Sequence, residues 1–428
     1  MRRRHTGVFV VLAFIVVVAA AGFAVVWRPA IPLETAPRSF PAAQTAKGAQ
    51  LAAIGNCITC HTAAGGAFFA GGRPIPTPFG TVYSINITPD RDTGIGGWSE
   101  AAFRRAMRDG VSRDGHHLYP AFPYDHMTLM RDADIDAVYA FMMTRQPIHA
   151  AAQPNNLRPP YDHRALVAGW KFLFLRHDAP PEDTSKGADW NRGAYLVEGL
   201  GHCGACHTPR NSLGAERRNE AYAGGESDGW IAPALNAASP AAVPWDANRL
   251  YAYLRTGFDP MHGIAAGPMA PVVRNLEAAP DADVRAIAVY VADIARRTPA
   301  EPHPVAGKTP GPVAADSPGA MVYAGACAQC HGEFGRKPSH PALSLKLSSA
   351  LRMPQPDNAI RIVRGGIHPA EGAGPIMPGF VNVLTDEQLG DLLGFLRSGF
   401  AERPQWPNIS GSIRLAKRAA TLEARSAQ

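Results

Sequence analysis

The sequence has no cysteine that stands alone. Its 428 residues include six, at 57, 60, 203, 206, 327 and 330, which form the runs "CITCH", "CGACH" and "CAQCH". With none left over, there is no spare thiol for an intermolecular bridge or a lone nucleophile. Charged residues are also scarce at 18 %, and Lys and Arg are scattered apart from "MRRRH" at the start. The net charge of +6 is therefore a solvated surface, not a basic patch, which argues against nucleic-acid binding. After residue 27 no apolar run reaches membrane-spanning length, which excludes a multi-span protein. Motifs for flavin, NAD or molybdenum are missing, as is any catalytic constellation. "GLGHCG" at 199–204 fits G-x-G-x-x-G in form only, because it overlaps Cys203.

Glycine (42) and proline (39) are plentiful, as in small loop-rich domains joined by extended linkers. At the N-terminus, Val8 to Trp27 form twenty residues without a charge behind three arginines. That length predicts one transmembrane helix with the arginines on the cytoplasmic side. A cleaved signal peptide with an A-x-A site at Ala19–Ala21 is the competing reading, but the apolar run continues through "GFAVVW". Both readings send residues 30–428 to the periplasm, and the first places the protein in the bacterial inner membrane.

Four chemistries use C-x-x-C. Structural zinc needs two pairs close in sequence, whereas these are more than a hundred residues apart and number three. A thiol–disulfide enzyme needs one reactive pair near a βαβ pattern and gives the following His no role. A two-residue gap makes a poor structural staple, because the constraint grows with loop length. C-x-x-C-H is also the attachment signal of haem c, in which both thiols bond the porphyrin and the His ligates the iron. Three matches that use every cysteine predict three covalently bound haem c groups. Cys57, Cys60, Cys203, Cys206, Cys327 and Cys330 would be the anchors, and His61, His207 and His331 the proximal ligands.

The motifs sit inside an internal repeat. "KGAQLAAIGNCITCH", "RGAYLVEGLGHCGACH" and "PGAMVYAGACAQCH" each start with Gly-Ala and a short apolar helical stretch. Further on, "RDADIDAVYAFMM", "PDADVRAIAVYVADI" and "LTDEQLGDLLGFL" each read as an amphipathic helix with an Asp/Thr-type N-cap. The expected fold is all-α: three tandem class I cytochrome c-like domains plus an N-terminal transmembrane helix. The expected boundaries are an anchor at 1–30, domains at 40–150, 186–298 and 318–400, linkers at 151–185 and 299–317, and a tail at 401–428.

A sixth iron ligand should lie on a loop before each closing helix, and a Met there raises the potential and closes the site to O₂. "GPIMPGF" supplies Met377, 46 residues after His331, and "AAGPMAP" supplies Met269, 62 residues after His207. Met otherwise fills gaps in cores. In the first copy the corresponding position, 119, is Tyr. Met130, 69 residues after His61, is the choice there, with Met127 and His126 as competitors.

The chain resembles the three-haem cytochrome c subunit of bacterial membrane-bound dehydrogenases acting on alcohol, gluconate, nicotinate or aldehyde. The three C-x-x-C-H sites, "GGRPIPTPFGTVYSINITPDRDTGIGGWS", "GHHLYPAFPYDHM", "CGACHTPRN" and "GPIMPGF" carry the resemblance over most of residues 45–400. It implies a subunit that takes electrons from a catalytic dehydrogenase partner and passes them to ubiquinone or a terminal oxidase. It also implies Met130, Met269 and Met377 as distal ligands. "LM" at 129–130 replaces the "KM" of alcohol-type members, and "PYDHMT" points to the branch paired with a molybdenum hydroxylase and its iron–sulfur subunit. A quinoprotein or flavoprotein partner is the other reading. The alternative function is a peroxidase-like haem enzyme with one open iron site.

Overall fold

The computed structural model describes residues 22, 26–36, 38–177, 181–297, 314–336, 338, 340, 343–368 and 375–426. The chain forms two compact units: residues 1–52 with 60–181, and residues 53–59 with 182–428.

One arrangement occurs three times. An opening helix ahead of the cysteine pair crosses a closing helix at a glycine. The pairs are Ala42–Ile54 with Asp132–Met143, Ala188–Tyr195 with Asp281–Ile294, and Pro318–Ala326 with Asp386–Gly399. The glycines of the three Gly-Ala pairs explain the crossing. A Cβ on Gly48, Gly193 or Gly319 would lie 1.8, 2.0 or 2.2 Å from the carbonyl oxygen of Ala137, Ala286 or Asp391. No side chain larger than hydrogen fits there, so the backbones meet directly. The apolar stripes of the closing helices then form the cores. In the third copy Leu389, Leu392, Leu393, Phe395 and Leu396 pack around Tyr323, Ile360 and Trp406. Thr385 caps that closing helix in a full capping box with Gln388. The other two closing helices begin after Arg131 and Pro280 with no side-chain cap, so their expected N-cap aspartates instead occupy the first turn. Acidic groups there favour the positive end of the helix dipole.

The expectation of an all-α chain with a transmembrane helix is corrected on two points. First, three small antiparallel sheets accompany the helices. Pro74–Thr77 pairs with Gly80–Tyr83, which pairs with Asn156–Leu157; Gly225–Ser227 pairs with Trp230–Ala232, and Phe258–Asp259 with Gly263–Ile264. Ile75, Thr77, Thr81 and Val82 are β-branched, and Pro74 and Pro76 cannot extend a helix. Gly80, at φ +129°, lets the third strand approach: a Cβ there would sit 2.3 Å from the Asn156 carbonyl oxygen. Second, among the described residues no helix is long and apolar enough to cross a membrane. The two 14-residue closing helices would each span about 21 Å at 1.5 Å per residue, short of the bilayer core. The 18-residue helix Ile409–Ser426 carries Arg414, Lys417, Arg418, Glu423 and Arg425. Of the expected span 8–27, only Gly22, Val26 and Trp27 are among the described residues.

The stretch expected as a linker at 151–185 contains a helix, Ala165–Phe174, that docks through Val167, Ala168 and Lys171. Lys171 donates to the Asp109 and Gly110 carbonyl oxygens at 2.6 and 2.5 Å and lies 3.0 Å from His117 Nδ1. Most of the linker expected at 299–317 lies outside the described residues.

Within the second unit, the Asn358 side chain acts as a substitute strand. It accepts from Ile231 N–H at 2.9 Å and donates to Ile231 C=O at 2.8 Å, pairing with the strand Trp230–Ala232.

Candidate functional site

Each cysteine pair spans one helical turn that follows its opening helix: Cys57–Cys60, Gly204–His207 behind Cys203, and Ala328–His331 behind Cys327. The two thiols of a pair are thus one turn apart, with the His at the end of the turn. None of the six cysteines forms a disulfide. Burial, with the Glu198 and Cys206 charges behind it, pushes the Cys203 thiol up to about 12. Burial pushes Cys327 up to about 11 and also raises Cys206. Reactive cysteines have a lowered pKa, and burial moves these three the other way.

The three histidines share one restraint. The Nδ1–H of His61 donates to the Ile85 carbonyl oxygen at 2.8 Å, that of His207 to Pro233 at 2.7 Å and that of His331 to Leu343 at 2.7 Å. A carbonyl can only accept, so the proton sits on Nδ1 and Nε2 keeps its lone pair. This is the usual orienting bond of a metal-ligating histidine. Burial lowers the pKa of His61 and His207, which favours the neutral ligand form. Two thiols a turn apart, next to an imidazole held in this tautomer, fit covalent haem with the His on the iron.

The loop after the motif repeats in the first two copies. Thr62 Oγ1 accepts from Phe69 N–H and Thr208 Oγ1 from Tyr222 N–H, both at 3.1 Å. Both aromatic residues have positive φ, +63° and +61°. The sequence signal for this loop was a threonine directly after "CITCH" and "CGACH", which the third copy replaces with Gly332. The carbonyls that hold the histidines left no such signal, because a backbone oxygen carries no residue identity.

The methionines expected as distal ligands lie in three different settings. Met377 is half-buried and forms a two-way backbone bridge with Ile367, at 2.9 and 3.0 Å. It packs against the same core as Cys327, Ala328 and Leu345. Met269, expected on a loop, is the first residue of the helix Met269–Leu276 and is half-buried. Met130 is 1 % exposed, and its carbonyl accepts from Arg108 at 2.6 Å. Its competitors Met127 and His126 are buried in the turn Tyr124–Met127.

Residues 45–146 match the family model described as cytochrome c, and residues 314–396 match that of cytochrome C oxidase, cbb3-type, subunit III. The chain is similar to a nicotinate dehydrogenase subunit of Pseudomonas putida, at 47 % identity over 393 residues, covering 90 % of this chain and 33 % of that protein. It thus spans a third of the length of that relative. It is 33 % identical over 400 residues to the fructose dehydrogenase cytochrome subunit of Gluconobacter japonicus, covering 86 % of this chain and 82 % of that one. To the gluconate 2-dehydrogenase cytochrome c subunit of Pantoea cypripedii it is 36 % identical over 402 residues, covering 88 % of each.

Proposed function

Since the chain belongs to the family of cytochrome c subunits of bacterial dehydrogenases, we propose that it is a tri-haem relay, passing electrons from a catalytic partner to the respiratory chain. It is an electron-transfer subunit and not the catalytic one, and its haem c is covalently bound. The proposed haem count is three, one per motif, in domains at 40–150, 186–298 and 318–400. When bound, haem c supplies a one-electron carrier whose potential the protein sets through axial ligands, hydrogen bonds and burial.

The chain's residues have separable tasks. Cys57 with Cys60, Cys203 with Cys206, and Cys327 with Cys330 would hold the porphyrins by thioether bonds. His61, His207 and His331 would ligate iron through Nε2, and Met130, Met269 and Met377 would be the second protein ligands. The relatives named as dehydrogenase subunits support a catalytic dehydrogenase partner; of the possible types, the resemblance carried by "PYDHMT" favours a molybdenum hydroxylase with its iron–sulfur subunit. Electrons would leave to ubiquinone or a terminal oxidase on the periplasmic side, where haem c is attached.

One observation carries this reading: three histidines, each directly after a C-x-x-C turn, each with Nδ1 committed to a backbone carbonyl. Intact-mass measurement of the purified protein tests it. The expected mass is the polypeptide plus three haems, and each Cys→Ser pair should remove one. A bare-polypeptide mass refutes the reading. Carbon monoxide uptake by the reduced protein should be slight; full uptake at one site would favour the open-iron enzyme instead.

A further inference from the structure

The second copy departs from the other two in one coordinated way. Opposite the crossing glycines stand Phe141, Tyr290 and Phe395, whose Cβ atoms would lie 2.7–2.8 Å from the added Cβ. In the first copy Phe141 meets Phe69 edge-on at 6.0 Å, and in the third Phe395 meets Phe334 at 5.1 Å. Tyr222 has the place of Phe69, with the same positive φ and the same bond to the threonine after the motif. The second copy therefore has tyrosine at both aromatic positions.

A carboxylate accompanies them. The Tyr290 hydroxyl donates to Glu198 Oε1 at 2.5 Å. Tyr222 is 3 % exposed, and its hydroxyl is buried close to the Glu198 side chain. Burial and the nearby Glu198 charge hold that hydroxyl well above its ordinary pKa. Five positions after the crossing glycine, where the second copy has Glu198, the other copies have Ala53 and Ala324.

The backbone explains how Glu198 gets there. From crossing glycine to first cysteine is ten positions in the second copy, nine in the first and eight in the third. The opening helix of the second copy ends in a π-type turn, Leu196–Leu200, kinked at Gly199 (φ −93°, ψ −108°), and Glu198 lies on it. Such turns are rare and recur at functional sites. Gly201 N–H closes the turn on the Leu196 carbonyl at 2.7 Å, and Cys203 N–H bonds the Val197 carbonyl at 3.2 Å. The backbone of Cys203, a proposed haem anchor, is thus tied to the residue next to Glu198.

We propose that Glu198, positioned by the π turn and held by Tyr290, tunes the second haem site by placing a negative charge beside Cys203, lowering that site's affinity for its electron. This inference rests on the three-haem reading.

Redox titration of the full three-haem protein at pH 8 tests it. The Cys203→Ser/Cys206→Ser variant, which should lack one haem, assigns the second-site transition. Glu198→Gln keeps the volume and an acceptor for Tyr290. It should raise the second-site transition alone, by roughly tenfold in the reduction equilibrium, or 59 mV for one electron. Glu198→Asp should restore the wild-type value. Three transitions unchanged in Glu198→Gln, or all shifted equally, would overturn the proposal. If Glu198→Gln does not fold, Tyr290→Phe serves, since Phe141 shows that the crossing accepts the ring. Loss of the hydroxyl dipole should lower the same transition, and no change or a rise would overturn the proposal. A cysteine double variant that keeps all three haems would instead overturn the three-haem reading itself.

Discussion

Within a helix, Gly→Ala ordinarily stabilises, by up to about 1 kcal/mol. At Gly319 the sign should reverse. An added Cβ falls 2.2 Å from the Asp391 carbonyl oxygen and 2.7 Å from Phe395 Cβ. Comfortable contact begins at about 3.5 Å, so the two helices must part by about 1 Å. Parting them loosens the packing of Leu392, Leu393, Phe395 and Leu396, all buried on the closing helix. Overpacking typically costs about 1–3 kcal/mol, and a gap of 0.5–1 Å forfeits roughly a quarter to a half of each contact. Set against the propensity gain, Gly319→Ala should destabilise the third copy by about 1 kcal/mol.

The same helix supplies the control. Gly325 has nothing within 4 Å of an added Cβ. Gly325→Ala should therefore stabilise by about 0.5–1 kcal/mol. Hydrogen exchange read by mass spectrometry on peptides 318–331 and 386–400 isolates this helix pair within the whole protein. Exchange should quicken in Gly319→Ala and slow in Gly325→Ala. If Gly319→Ala exchanges no faster than wild type, direct backbone contact is not what the glycine provides.

Two further predictions concern buried polar groups. Burial lowers the Lys171 pKa from its ordinary 10.5 to about 7. Between those values the unfolded chain binds more protons, so the penalty is full below pH 7 and fades as pH rises from 7 toward 10.5, by at most about 5 kcal/mol. Lys171→Met should flatten the rise in melting temperature of the first unit from pH 7 to 10 in calorimetry, and parallel wild-type and variant curves would sink this account. Asn358→Ala leaves both the N–H and the C=O of Ile231 without the partner they have now. It should cost about 1–3 kcal/mol, seen as a lower urea midpoint of the second unit, whereas an unchanged midpoint would mean that water replaces the amide.

What the sequence made legible is what periodicity and identity encode. The Gly-Ala pairs and the closing helices were readable because their apolar spacing is helical. Less visible were features whose cause is local backbone chemistry or tertiary contact. The hairpin of Pro74–Tyr83 contains only eight strand residues, too few for a two-residue period to stand out. Helix Ala165–Phe174 follows a proline-rich stretch that suggested extended chain, yet docking through Val167, Ala168 and Lys171 keeps it helical. The distal-ligand assignments rested on resemblance and loop position, and Met269 at a helix start shows how little loop position constrains.

The three copies act as an internal experiment in what a haem-binding scaffold must keep. Each retains a glycine at the crossing and a carbonyl on the proximal Nδ1, although those carbonyls belong to Ile, Pro and Leu. Both features are backbone contacts that depend on separation and not on side-chain charge. They fix where the cysteines and histidine stand but cannot distinguish one site from another. Any difference in electron affinity must then come from residues free to vary around the shared frame. The clearest such variation in this chain is where two phenylalanines and an alanine give way to Tyr222, Tyr290 and Glu198. On the proposed reading, a longer path from crossing glycine to first cysteine, ten positions against nine and eight, and three polar substitutions would set the second site apart without disturbing the contacts that hold the frame together.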